Sequence, residues 1–294
     1  MPLLETPQDG PLAEVLAQEP GGDVRLHWLG QAGFVIDGGG RRVVIDPYLS
    51  DALAVKYRGT ATPHDRMMPA PVAPGKIAHV DLILSTHAHT DHLDGETLRP
   101  LLAANPRAVL VAAAATLDTA RARTGLDGAR LIPADAGDRM EPVPGITLHV
   151  TRAAHETLEQ DAAGRHLFLG YAIGLGGQTI LHSGDTIPFD GQAAEIAALT
   201  PDLALLPVNG RDARRAGHGI AGNLTASEAM ALAEAAGVPE VIAHHFGMFA
   251  FNTAAPRDLA ALSAQAGSAK VRPARPGVTY LLRPDSPPED QEAR

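Results

Sequence analysis

The chain has 294 residues, 45% of them hydrophobic and 20% charged, the balance of a folded protein with a sizeable core. Its net charge of −10 argues against broad binding to nucleic acid or an anionic membrane, and the lack of cysteine excludes disulfides and thiolate metal sites. The N-terminus lacks the apolar run of a signal peptide, and the longest apolar run, near Ala108–Leu117, is too short to span a bilayer; a cytoplasmic setting is expected.

Residues 1–22 read as a loose lead-in with a short helix near Pro11–Gln18, followed by one domain over 23–283 and a disordered polar tail over 284–294. Val24–Leu29, Ala32–Asp37 and Arg42–Ile45 read as strands joined by glycine-rich turns. A proline-rich loop over Thr60–Lys76 is too long for a plain connector and is expected to border a site. Asp81–Thr86 has the short apolar pattern of a strand buried on both faces, and Glu96–Ala104 reads as a helix. Strands are expected at Ala108–Ala112, Ala129–Ile132 and Gly145–Thr151, with a helix near Thr116–Thr124. Phe168–Gly174 and Gln178–His182 read as a hairpin around Gly176-Gly177. A helix at Gln192–Leu199 precedes an apolar strand, Leu203–Val208. Thr225-Ala226-Ser227-Glu228 has the capping-box pattern, and the helix it opens should stop at Gly237. A strand at Glu240–Ala243, a helix near Pro256–Gln265 and a strand at Val278–Leu282 complete a mixed α/β chain. Two halves, 23–150 and 151–283, each run from strands to helices.

The densest chemistry follows the Asp81–Thr86 strand, in His87-Ala88-His89-Thr90-Asp91-His92. Imidazole and carboxylate groups packed this closely serve metal binding, and they exceed what one tetrahedral ion with an open position requires, so two ions are expected. A strand–loop–helix context puts them at the carboxyl end of a strand, where open α/β sheets place their sites. Further ligand candidates also follow strands, beside small residues: His155, Asp185, and the pair His244-His245. His27, His64, His79, His149, His166 and His182 read as ordinary surface or hydrogen-bonded core histidines.

The ordered series resembles the metallo-β-lactamase superfamily, with its H-x-H-x-D-H motif, then a His, a Gly-Asp turn and a final His, over about residues 24–283. The resemblance implies a four-layer αββα sandwich, two mixed β-sheets flanked by helices, with a dinuclear site along one edge. It implies that His87, His89 and His155 hold the first metal, that Asp91, His92 and the final His hold the second, and that Asp185 bridges them. His245 is preferred to His244 as the final ligand, because His245-Phe246-Gly247-Met248-Phe249 resembles the family's H-[FYW]-x-x-[FW] segment. Asp46 resembles a family Asp near the site, read as orienting a ligand, with a turn cap as the alternative. The ions expected are two divalent zinc or manganese ions, with iron also compatible.

Trp28–Phe34, Ile45–Ser50 and Pro207–Asp212 with Gly222-Asn223 resemble the L-ascorbate-6-phosphate lactonase group. The loop Asn209–Arg215 follows an apolar strand and carries Arg211, Arg214 and Arg215, which could clamp a phosphate bidentately, while Asn209 could polarise a carbonyl. The bland alternative is a solvated charged loop. The expected partner is a small anionic substrate, with a homo-oligomer also open. The expected reaction is metal-assisted attack of water on an ester or lactone carbonyl, with Asp91, Asp185 and Asn209 as its catalytic groups. The competing readings are a phosphodiesterase acting on a small phosphodiester and a non-catalytic metal-binding regulatory module.

Overall fold

The computed structural model describes residues 2–264 and 267–283. The expected tail over 284–294 and Gln265 lie outside the described residues. Two mixed sheets form, and both combine an antiparallel half with a parallel half.

The first sheet runs in the order β1 (Leu3–Pro7), β15 (Val278–Leu282), β2 (Val24–Gly30), β3 (Gly33–Gly38), β4 (Arg41–Ile45), β5 (Leu82–Leu84), β6 (Val109–Ala113) and β7 (Leu131–Ala134). Its strands pair antiparallel as far as β4 and parallel from β4 to β7. The second sheet runs β14 (Lys270–Pro273), β13 (Glu240–His244), β12 (Leu203–Pro207), β11 (Gln178–His182), β10 (Leu169–Leu175), β9 (Ile146–Arg152) and β8 (Arg139–Val143). Here β14 to β11 are parallel and β11 to β8 antiparallel.

Side-chain alternation builds the layers. Val43, Ile45, Leu82 and Leu84 enter the core between the sheets, whereas Val44 and Ile83 face outward onto helices. Those outer partners include Leu12 and Leu16 of α1 (Leu12–Leu16) and Leu98 and Leu101 of α3 (Gly95–Ala104). On the far face of the second sheet, Ile196 of α5 (Gln192–Ala197) and Ala229, Met230 and Ala233 of α7 (Ala226–Ala235) join the main core. Each fully buried Val, Leu or Ile side chain contributes roughly 1.5–3 kcal/mol, so strands covered on both faces carry most of the stabilisation. The result is the α+β sandwich of two mixed sheets flanked by helices.

Several local expectations hold. The capping box is formed: Thr225 accepts from the Glu228 amide while Glu228 accepts from the Thr225 amide. Gly176 and Gly177 both take positive φ, as a tight hairpin between β10 and β11 requires. Other features differ. Within the lead-in that reads as loose, β1 pairs with β15 at the sheet edge, because Leu3 buries its side chain and its amide donates to the buried Glu240 carboxylate. The halves do not divide at 150, since β8 and β9 already belong to the second sheet and β15 returns to the first. Strands β8 and β14 and the short helices α2 (Ala52–Lys56) and α6 (Ala213–Gly217) carry too little periodic apolar pattern to be read from sequence.

The strand directions position the site. β2, β4 and β5 point the same way in the first sheet, as do β9, β11, β12 and β13 in the second. Their carboxyl ends meet along one edge of the sandwich. Cross-sheet hydrogen bonds join them there: Leu169 N to Thr86 O at 3.0 Å, Tyr171 OH to Ser85 O at 3.0 Å, and His245 N to Gln31 O at 2.9 Å.

Candidate metal centre

Three overlapping groups of ligand atoms lie at that edge: His87, His89 and His155; His87, His92 and Asp185; and Asp91, His92 and His245. Within each group the atoms fall within 4.8 Å of one another. Each residue expected from sequence to ligate metal is therefore in the cluster. Asp185 lies centrally, with Oδ2 at 3.0 Å from His245 Nε2, 3.3 Å from His92 Nε2 and 3.9 Å from His155 Nε2. Gly184 makes that position reachable. Its φ is +64°, and a Cβ there would stand 2.2 Å from Leu169 O, so only glycine lets the turn pass.

His244 and His245 part company at the end of β13. His244 is fully buried, packing edge-on against Phe34 at 5.5 Å between ring centroids and beside His182 at 4.9 Å. His245 leaves the strand with φ 63°, which turns its ring towards Asp185 and Asp91. Gln31 and Asp46 also adopt left-handed φ, 50° and 44°. Such conformations cost of order 1–3 kcal/mol in non-glycine residues, and strain of this kind gathers at functional sites.

Asp46 sets the tautomers of the cluster. Its carboxylate accepts from the Thr86 amide at 2.8 Å, the Thr86 hydroxyl at 2.7 Å and His92 Nδ1 at 2.7 Å. With its proton given to Asp46, the Thr86 hydroxyl can only accept from His87 Nδ1, 3.0 Å away. In its neutral form each of these imidazoles then turns an unprotonated Nε2 inward. These Nε2 atoms, and Asp185 Oδ1, are buried without a hydrogen-bond partner. Buried acceptors without partners are costly unless something cationic meets them, and they fit a divalent ion.

The electrostatics agree. Burial, reinforced by His92 and His89, holds His87 well below the ordinary imidazole range. Burial brings His155 down to about 4 and lowers His89 as well. Burial opposes ionisation of Asp185, but His245 and His92 overcome it and hold the carboxyl well below the usual range. Neutral imidazoles around an ionised carboxylate are the protonation states that metal ligation demands. In the metal-free protein His92 is the exception: burial disfavours its charge, yet Asp185, Asp46 and Asp91 raise it well above the ordinary value.

A pocket of about 270 Å³ opens over the cluster, reached by His89, Asp91, His155, Asp185 and His245. One wall is Tyr57 and His64, stacked at 4.1 Å between centroids, with Phe249 edge-on to His64 at 5.0 Å. The proline-rich loop thus borders the site through Thr62 and His64. His218 to Ala221, Lys56, Arg123 and Asn252 also line the pocket.

None of residues 209–215, expected from sequence to meet the substrate, lines the pocket over the cluster, although Arg211 and Asp212 line a neighbouring depression that His155 also borders. Asn209 is buried, donating to Asn252 Oδ1 at 2.7 Å and accepting from Asn223 at 3.0 Å, which leaves Asn252 at the pocket wall. Arg211 forms a two-pronged pair with Glu228, both bonds 2.6 Å. Arg215 donates to Asp212, Asn209 O and Asn252, and Arg214 is exposed beside Phe251 in a separate depression. The guanidiniums of Arg211 and Arg215 hold the neck of their own loop and do not line the pocket over the cluster.

Sequence reading took His64 for an ordinary histidine and gave no individual role to Lys56, Arg123 or Gln31. Arg123 Nη1 donates to Ala88 O at 2.6 Å and Leu93 O at 3.0 Å, bracing the histidine loop from a distant helix. His64 had no local signal beyond its place in the proline-rich loop. Gln31 did: it is a polar residue between glycines inside an apolar hairpin.

Comparison with known proteins agrees with this geometry. The family described as Beta-lactamase superfamily domain matches residues 41–246. A UPF0173 metal-dependent hydrolase of Myxococcus xanthus is 30% identical over 287 residues, covering 94% of this chain and 91% of the relative. One from Saccharolobus solfataricus is 33% identical over 192 residues, 64% of this chain and 72% of the relative. Among solved structures, the isothiocyanate hydrolase from Delia radicum gut bacteria superposes with a TM-score of 0.68 at 20% identity, covering 87% of this chain and 97% of that one. A metallo hydrolase of Ignicoccus hospitalis gives 0.62 at 22% identity over 88% and 98%. These two likenesses concern the fold alone. With its two-sheet fold, its cluster of histidine and aspartate donors and this match, the chain belongs to the metallo-β-lactamase superfamily and is a metal-dependent hydrolase of that group.

Proposed function

We propose that the protein hydrolyses a small ester or lactone with two divalent ions held by the cluster. The observation that carries this reading is the convergence of His87, His89, Asp91, His92, His155, Asp185 and His245 in one cluster, five of whose residues line an open pocket. In it, His87, His89 and His155 would hold one ion and Asp91, His92 and His245 the other, with Asp185 between them as a shared donor. An all-nitrogen and oxygen set suits zinc or manganese, and iron also fits. When bound, the ions supply an activated water and a Lewis acid for the attacked carbonyl.

The chain's own residues do the rest. Asp91 is the cluster carboxylate on the open side, its side chain 17% exposed, and can carry a proton to the leaving oxygen. Tyr57 and His64 offer a flat wall for an apolar or ring-bearing part of the substrate. Lys56 and Arg123 line the pocket and are the cations that an anionic substituent would meet there. With the guanidiniums of Arg211 and Arg215 engaged elsewhere, a phosphorylated sugar lactone has weaker support than an unphosphorylated lactone or ester.

The test is elemental analysis of purified protein joined to a hydrolysis panel of lactones, aryl esters and bis-p-nitrophenyl phosphate with zinc, manganese and ferrous iron. The expected result is two ions per chain and turnover of esters or lactones, with His89→Ala and Asp185→Ala losing turnover and bound metal. Turnover of the phosphodiester alone would make the protein a phosphodiesterase. No turnover with two ions bound would make it a non-catalytic metal-binding module.

A further inference from the structure

Gln31 sits in the tight turn between β2 and β3, wholly buried, with φ 50°. Its backbone oxygen accepts from His245 N at 2.9 Å and from Trp28 Nε1 at 3.0 Å. Its side-chain Nε2 donates to Asp91 Oδ2 at 2.9 Å and stands 3.3 Å from His245 Nε2. The amide orientation is dictated by charge, since an oxygen turned to the ionised Asp91 would repel it. The remaining Oε1 is buried without a hydrogen-bond partner. A glutamine held in a left-handed conformation, with part of its amide unsatisfied, is poorly explained by packing. It is well explained if the amide must stand at that point.

We propose that Gln31 is a positioning residue for the ion held by Asp91, His92 and His245, and sets the affinity of that ion without touching the other. This rests on the two-ion reading above. One residue fixes two ligands: its carbonyl anchors the backbone that carries His245, and its amide restrains rotation of the Asp91 carboxylate. Within the cluster its hydrogen bonds go to Asp91 and His245, on the side of the second ion, rather than to His87, His89 or His155. Orienting partners of metal ligands typically change affinity by about 10- to 100-fold when removed.

The test is zinc titration of metal-free wild type and Gln31→Met against a chromophoric chelator, resolving two binding constants. Methionine keeps the length and bulk and removes the donor. His89→Ala, which strips the other ion's ligand set, assigns the constants. The expected result is a loss of about 10- to 100-fold in the constant of the Asp91 ion, with the other unchanged. Should Gln31→Met not fold, Gln31→Asn tolerates the left-handed backbone but withdraws the amide by one methylene, and the same selective loss is expected. A packing role would instead lower the unfolding midpoint and move both constants or neither, and that outcome overturns the assignment of Gln31 alone. A wild-type chain taking up a single zinc ion overturns the two-ion reading, and the Gln31 proposal with it.

Discussion

Asp46→Asn is the most informative single change outside the proposed ligands. The substitution keeps shape and volume and alters only what the buried group can accept. At present the carboxylate receives the Thr86 amide, the Thr86 hydroxyl and His92 Nδ1, all within 2.8 Å. An asparagine oxygen can keep the Thr86 amide. Its NH₂ then faces the hydroxyl and the imidazole. The hydroxyl can rotate and accept, but His92 Nδ1 loses its acceptor, and the ring no longer has a reason to keep Nε2 unprotonated towards the cluster. One hydrogen bond to a charged group is lost, about 1.5–3 kcal/mol. The separate expectation for removing a ligand's orienting partner is about 10- to 100-fold in metal affinity, or about 1.4–2.8 kcal/mol. Chelator competition reports the affinity, and urea unfolding of the metal-free chain reports stability. A drop in stability with unchanged metal affinity would make Asp46 a turn cap for its left-handed residue and refute the orienting role.

Two further outcomes are expected. His245→Ala should weaken metal retention sharply, whereas His244→Leu, a near-volume-conserving change in an apolar niche, should cost under about 1.5 kcal/mol of stability and leave the metal untouched; the opposite pattern in a metal titration would reverse the assignment. The Arg211–Glu228 pair should stabilise the neck of the 209–223 loop in a pH-dependent way. The Arg211 hydrogen bonds, against the opposing effect of burial and helped by the Thr225 amide and hydroxyl, bring Glu228 from 4.5 to about 2. A carboxyl lowered in the fold contributes fully above its ordinary value and loses that contribution as pH falls through 4.5 towards about 2. Arg211→Met should flatten that acid limb in denaturant titrations, with metal content at neutral pH unchanged, and an unaltered limb would show that the pair is too exposed to matter.

Much of the site was written locally in the chain. The ligand loop is contiguous, so His87, His89, Asp91 and His92 declare themselves by density. His155, Asp185 and His245 each stand just after an apolar strand, and a strand's carboxyl end is a place that sequence can point to. The elements with strong periodicity or definite end signals, such as the Thr225 capping box and the Gly176-Gly177 hairpin, follow from short-range sterics and hydrogen bonding. These effects act within a few residues and need no knowledge of the rest of the chain.

Tertiary structure decided what depends on partners far away in sequence. Arg211 and Arg215 looked free because Glu228 and Asn252 are distant in the chain, and only folding brings those groups to them. His64 became a pocket wall because Tyr57 and Phe249 close around it, and β1 became a strand because β15 offers an unpaired edge. Gln31 reads as one polar residue in a turn until the second sheet delivers His245 to its carbonyl and the histidine loop delivers Asp91 to its amide. The sequence by itself determined the metal chemistry and the family, since a ligand's element preference is intrinsic to its side chain. The fold alone decided which polar groups are free to meet a substrate, since a hydrogen-bonding group is available only when no neighbour has already claimed it.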